Sequence, residues 1–154
     1  MKKLTALLLA VLLVFGLAAC AGSPAESNAK PGDTMTLQDI LTSITKDVAD
    51  LPDTETTALT KDNFEYFAFT AMPDGVEAID ADALINAVVL MRAQDAETAK
   101  QLAADVEANL NPAKWVCVEA EKTAVLVHNC TVLLVMSWSD VTDALTANFN
   151  ALWS

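Results

Sequence analysis

The sequence predicts an α+β fold: a single domain with a largely antiparallel sheet of about five strands packed with about three helices. Three observations lead there. Apolar residues recur at helical spacing in three separate segments. Between those segments lie short apolar, β-branched or aromatic runs of strand length. The predicted order is helix, two or three strands, helix, three strands, helix. That is not the strict alternation that builds a doubly wound sheet.

The first helix is expected over about Leu37–Ala49. Leu37, Ile40, Leu41, Ile44 and Val48 form one stripe, with Thr36 as N-cap and Asp39 favouring the first turn. Pro52 prevents continuation past Leu51. The aromatic run Phe64–Phe69 suits a strand, and Pro73-Asp74-Gly75 a turn. Val76–Ile79 reads as a short strand. Leu84–Arg92 contains Val88-Val89-Leu90-Met91, a run typical of a strand covered on both faces, with a helical start near Asp82 as the alternative for its first half. Asp95 caps a second helix whose stripe is Ala99, Leu102, Ala103, Val106 and Leu110, ended by Asn111-Pro112. Strands are expected at Trp115–Ala120, Thr123–His128 and Thr131–Trp138, with His128-Asn129-Cys130 as a turn. Ser139 is then placed as the cap of a last helix with Val141, Leu145, Phe149 and Leu152 on one face.

The N-terminus carries a different signal. Lys2 and Lys3 precede an apolar run from Leu4 to Ala19, about 16 residues and short of the ~20 a spanning helix needs. Leu17-Ala18-Ala19-Cys20 closes it. These residues resemble the lipobox of bacterial lipoproteins, whose pattern is Leu-small-small-Cys. The resemblance implies that residues 1–19 are a signal peptide, that Cys20 is acylated, and that the chain is held on the extracytoplasmic face of the cell membrane. Residues 20–35 are small, polar and bear Pro and Gly, which predicts a flexible tether before a domain over 36–154.

Removal of the first 19 residues leaves 135 of the 154, and loss of Lys2 and Lys3 moves the formal charge from −12 to −14. The length fits one domain with a real core. The charge argues against nucleic acid, which needs a basic face, and leaves neutral or cationic partners open.

Chemistry-bearing motifs are scarce. The glycines are Gly16, Gly22, Gly32 and Gly75, which excludes a Walker loop, a dinucleotide fingerprint and a Gly-x-Ser-x-Gly elbow. The single histidine, His128, falls on an expected turn, so a triad is not expected. Asp74, Glu77, Asp80 and Asp82 do not match the twelve-residue calcium loop and read as a solvated acidic loop. No catalytic residue, metal ligand or cofactor site is predicted. A simple meander would hold Cys117 and Cys130 about 13 Å apart, which favours two buried thiols over a disulfide. Candidate ligand or partner contacts are Arg92, which could clamp a carboxylate or pair with an acid at the sheet edge, and Trp115 and Trp138.

Three phrases, Asn86–Arg92, Asn111–Val118 and Val132–Ser137, resemble a family of uncharacterised secreted lipoproteins, mainly of Gram-positive bacteria, carrying a domain of unknown function. The resemblance implies a small α+β domain at the outer cell surface and carries over no site residues. The expectation is therefore a non-enzymatic, lipid-anchored binding or envelope-associated module whose partner is the membrane through Cys20 and a protein or cell-wall ligand. An accessory subunit docking on an envelope protein is the alternative, and an enzyme the third reading.

Overall fold

A computed structural model of the chain describes residues 29–154. The signal segment and Cys20 lie outside the described residues. The domain is α+β. Its elements are α1 (Pro31–Thr34), α2 (Leu37–Thr45), β1 (Thr57–Ala58), α3 (Phe64–Ala68), β2 (Glu77–Ala83), β3 (Asn86–Arg92), α4 (Ala96–Asn109), β4 (Lys122–His128), β5 (Thr131–Ser137) and α5 (Ser139–Ala151). The five strands form one antiparallel sheet in the order β1-β2-β3-β5-β4.

Helices cover both faces of the sheet, and this explains the composition of its centre. One face carries Ala87, Val89 and Met91 of β3 and Val132, Leu134 and Met136 of β5. These pack with Phe64 and Ala68 of α3 and Ala99, Leu102 and Val106 of α4. The other face carries Val88, Leu90, Leu133 and Val135, packed with Leu37, Ile40, Leu41 and Ile44 of α2 and Val141, Leu145 and Phe149 of α5. Residues buried on alternating sides leave no solvent face, so both central strands read as unbroken apolar runs. The α2, α4 and α5 stripes match the expected helices. Thr36 and Asp95 cap as predicted, accepting from the backbone N–H of Asp39 at 3.1 Å and of Thr98 at 2.7 Å.

Four local expectations are corrected. Phe64–Phe69 is not a strand. Phe64 and Ala68 are buried and Phe67 half-buried, while Tyr66 is exposed, and that is a helical spacing. Trp115–Ala120 is not a strand either. Val116 takes a left-handed backbone (φ 64°) and the Cys117 N–H turns back to the Trp115 carbonyl at 2.6 Å, which breaks an extended run. The strand expected at Val76–Ile79 extends to Ala83, and Leu84-Ile85 makes a two-residue hairpin turn into β3. Ser139 is the first helical residue rather than the cap. Its N–H donates instead to the Glu121 carboxylate at 3.2 Å.

Residues 30–35, expected as part of the tether, belong to the domain. They are docked on one end of the sheet. The Arg92 guanidinium, at the end of β3, donates to the carbonyls of Met35 (2.8 Å) and Gly32 (3.4 Å) and to the Thr131 hydroxyl (3.4 Å). Asp33 accepts from Trp153 Nε1 at 2.8 Å and from Asn129 at 2.6 Å. Gly32 lies so close under the Trp153 indole that an added Cβ would sit 2.4 Å from the ring, so only glycine fits. Burial pulls the Asp33 pKa up, but the bonds from Asn129, Trp153 and the Lys30 backbone, with the charge of Arg92, hold its carboxyl below the ordinary aspartate value.

Arg92→Ala is expected to destabilise the domain by about 1.5–3 kcal/mol, the usual range for hydrogen bonds from a charged group. Urea denaturation measures this, and limited proteolysis should show new cleavage at residues 29–36. Unchanged stability together with unchanged cleavage would contradict the bracket.

Candidate functional site

The opposite end of the sheet is where the chemistry collects. It lies about 20 Å from the Arg92 bracket, the length of a seven-residue strand. A pocket lies there on one face, and on the other face a cluster runs from Asp80, at the middle of β2, to Asp82, toward that end.

On the α2/α5 face, a cavity of about 730 Å³ is lined by Val48, Ala49, Asp50, Glu121, Trp138, Ser139, Asp140, Val141 and Ala144. Three chain segments build it. The turn after α2 supplies the Val48–Asp50 wall, Glu121 is the residue before β4, and Trp138 with the start of α5 supplies the rest. Val141 is buried beneath the pocket and Trp138 is half-buried beside it, while Asp50, Glu121 and Asp140 are exposed at its rim. The helix N-terminus here already has an anion, because Ser139 N–H is bonded to Glu121. What remains beside Glu121 is the Trp138 side chain with the carboxylates of Asp50 and Asp140.

On the α3/α4 face, Asp80 and Asp82 of β2 point inward. Alternation along the strand puts them on the same side as Ala78. Lys114 comes from the loop after α4, with only 4% of its side chain exposed, and its Nζ lies 2.8 Å from Asp82 Oδ2. The same Nζ is 4.9 Å from the Tyr66 ring centre, 5.1 Å from that of Phe67 and 5.4 Å from that of Trp115. Asp80 is 3% exposed. Its Oδ1 and that of Asp82 are buried without a hydrogen-bond partner. Burial, then repulsion from Asp82, pushes the Asp80 pKa up to about 6, partly offset by Lys114. The reading of residues 74–82 as a solvated acidic loop is therefore corrected: β2 carries the last two acids into the interior. Their spacing of two was the signal, since it matches the pleat of a strand.

The three candidate contacts do not converge. Arg92 holds backbone carbonyls at the bracket end and neither clamps a carboxylate nor makes an ion pair. Trp115 belongs to the Lys114 cluster, and Trp138 to the pocket on the other face. Sequence reasoning missed Glu121 and Lys114, and read Asp80 and Asp82 as solvated. His128 is half-buried at the end of β4 rather than on an exposed turn. It stacks on Trp153 at 5.0 Å and contacts Asn150 through Nε2 at 2.7 Å. Cys117 is exposed and free, so it is neither a buried thiol nor bridged to Cys130. Among the described residues no three His, Cys, Asp or Glu side chains gather as a metal site, and no helix is long and apolar enough to cross a membrane. Comparison with known protein families, curated proteins and solved structures found no match to this chain.

Asp80 gives a stability signature. Its folded pKa of about 6 lies above the usual aspartate value of 3.8, so the folded state favours the protonated form. Its contribution is full below pH ~4 and is lost as pH rises through ~6. A shift of this size corresponds to about 1–3 kcal/mol. Asp80→Asn should therefore raise stability at pH 7 by that amount and flatten the stability profile between pH 4 and 6. An unaltered profile in the variant would refute the assignment.

Proposed function

We propose that the chain is a lipid-anchored, extracytoplasmic binding module. In this reading Cys20 carries the acyl anchor, residues 20–29 span to the domain, and the pocket beside Trp138 takes a cationic ligand. The observation that carries the ligand class is the pocket lining, in which Trp138 stands with Asp50, Glu121 and Asp140. Aromatic faces and carboxylates both attract cations, and the overall acidity of the chain adds a long-range field of the same sign. The cavity volume suits a small molecule or a peptide side chain. The position of the pocket also supports the reading. The chain enters the domain at the Arg92 bracket, so an anchor on Cys20 leaves the opposite sheet end facing outward. The N-terminal lipobox and the resemblance to secreted lipoproteins supply the location. Binding is favoured over catalysis because the His128 ring is stacked on Trp153 and engaged through Nε2 by Asn150.

One observation favours the accessory-subunit reading. Strand β4 is seven residues long and lies at the sheet edge, and among the described residues it pairs only with β5, which offers its outer backbone edge for strand addition. A photo-crosslinker at Thr123 should capture an envelope protein if that edge is the docking surface, whereas one at Asp140 should report on the pocket.

Two measurements test the leading proposal. Cys20→Ser should move the protein from the membrane fraction to the soluble extracytoplasmic fraction, with loss of lipid mass. Persistent membrane association with no lipid attached would remove the anchor from the proposal. Separately, calorimetry of the domain with a short oligolysine peptide should show binding that weakens as salt rises. Trp138→Ala should weaken it at least tenfold. Equal binding by the variant, or binding of an oligoglutamate peptide instead, would exclude the pocket as a cation site.

A further inference from the structure

The cluster on the α3/α4 face holds more recognition groups than Lys114 uses. Three aromatic rings and the Asp82 carboxylate surround one ammonium, whose charge also acts on Asp80, and that ammonium is hydrogen-bonded to a single oxygen, Asp82 Oδ2. An ammonium has three N–H donors. Oδ1 of Asp82 and Oδ1 of the nearly buried Asp80 have no partner. A side chain placed there only to neutralise a buried charge would leave fewer acceptors open.

The loop that delivers Lys114 is fastened mainly to itself. The backbone hydrogen bonds of residues 111–120 run from Lys114 N to the Asn111 carbonyl, from Val116 N to that of Ala113, from Cys117 N to that of Trp115, and from Ala120 N to that of Pro112. All close within the loop, and none reaches the sheet. At its tip Val116 is 92% exposed and holds a left-handed backbone (φ 64°), which a β-branched residue rarely adopts. Such an outlier persists only when its surroundings impose it. The loop is thus a self-contained unit held down largely through Lys114, Trp115 and Ala120.

We infer that the box formed by Asp80, Asp82, Tyr66, Phe67 and Trp115 is a binding site for a primary alkylammonium group, of which Lys114 is the resident occupant. A ligand bearing such a group, for example a lysine side chain of a peptide or the end of a diamine, displaces Lys114 and lifts the 111–120 loop. This site is separate from the pocket beside Trp138, which lies on the opposite face and contributes no residue to it.

The test uses the domain with Lys114→Ala, titrated with n-butylammonium and followed by tryptophan fluorescence and melting temperature. Saturable binding that raises the melting temperature is expected, at least tenfold tighter than for the unsubstituted domain, where Lys114 competes from within the chain. Sodium chloride at matched concentration and n-butylguanidinium should not reproduce it, and adding Asp82→Asn should abolish it. A folded Lys114→Ala variant that no amine stabilises would overturn the inference. A second measurement avoids the variant altogether. An environment-sensitive dye on the exposed Cys117 of the otherwise unaltered domain should respond to n-butylammonium and not to matched sodium chloride. The absence of that response also overturns it, whether or not Lys114→Ala folds.

Discussion

Burial of β3 and β5 on both faces is the constraint from which the other features follow. Every residue from Ala87 to Met91 and from Val132 to Met136 is 1% exposed or less. A strand pair in that position tolerates no polar side chain along its middle, because no water can reach one and the helices offer few partners. Polar residues are therefore displaced to the strand ends. Arg92 and Thr131 stand at one end, and Asn86 and Ser137 at the other. The two ends are treated differently. Arg92 spends its donors on the carbonyls of the entering chain, whereas Asn86 and Ser137 retain buried polar atoms without partners. One end is closed by structure. The other keeps unsatisfied groups and the pocket, with Asp82 toward it and Asp80 at mid-strand.

Much of the fold was legible because its signals are local. A helical stripe such as Leu37, Ile40, Leu41 and Ile44 needs only its own spacing to be read. So does the Asp95 cap, or an apolar run the length of β5. The misreadings arose where residue type and spacing disagreed. Phe64–Phe69 has strand-like composition, yet its buried positions are three and four apart, and period outranks propensity when a segment must cover a sheet. The hairpin at Leu84-Ile85 carries none of the usual turn residues. Ile85 nonetheless takes a positive φ of 62° because the β2–β3 register requires it. Val116 hides a turn for the same reason. Trp138 could be proposed from the sequence as a contact, but Glu121 could not, since it joins the pocket through the sheet order rather than through proximity in the chain. Asp80 and Lys114 are separated by a hairpin and a helix, so their meeting is a tertiary fact.

Stability alone is a poor explanation for the Lys114 cluster. Desolvating an ammonium and two carboxylates costs several kcal/mol per ion, and a buried pair regains this only when the remaining donors and acceptors are also satisfied. Here they are not, and Asp80 shows the consequence directly: its carboxyl is held above the ordinary aspartate range mainly by burial. Apolar residues of similar volume on β2 would extend the core formed by Ala78, Val89 and Met91 without that penalty. The arrangement is better explained by recognition of a cation than by support of the sheet.

Charge then connects the two faces. The formal charge of the chain is −12, yet the acids are not spread evenly in their consequences. Most are solvated and screened beyond about 8–10 Å at moderate ionic strength. Those at the far sheet end are backed by low-dielectric core, which weakens screening and strengthens their attraction for a cation. A cation approaching the α2/α5 face meets Asp50, Glu121 and Asp140 with Trp138. On the other face the attractive groups lie beneath a loop, so access requires displacement of Lys114. The proposed open and gated cation sites both lie away from the sheet end on which residues 30–35 dock. An anionic lipid surface would repel this acidic body as a whole, and under the proposed anchor that repulsion would turn the far sheet end outward.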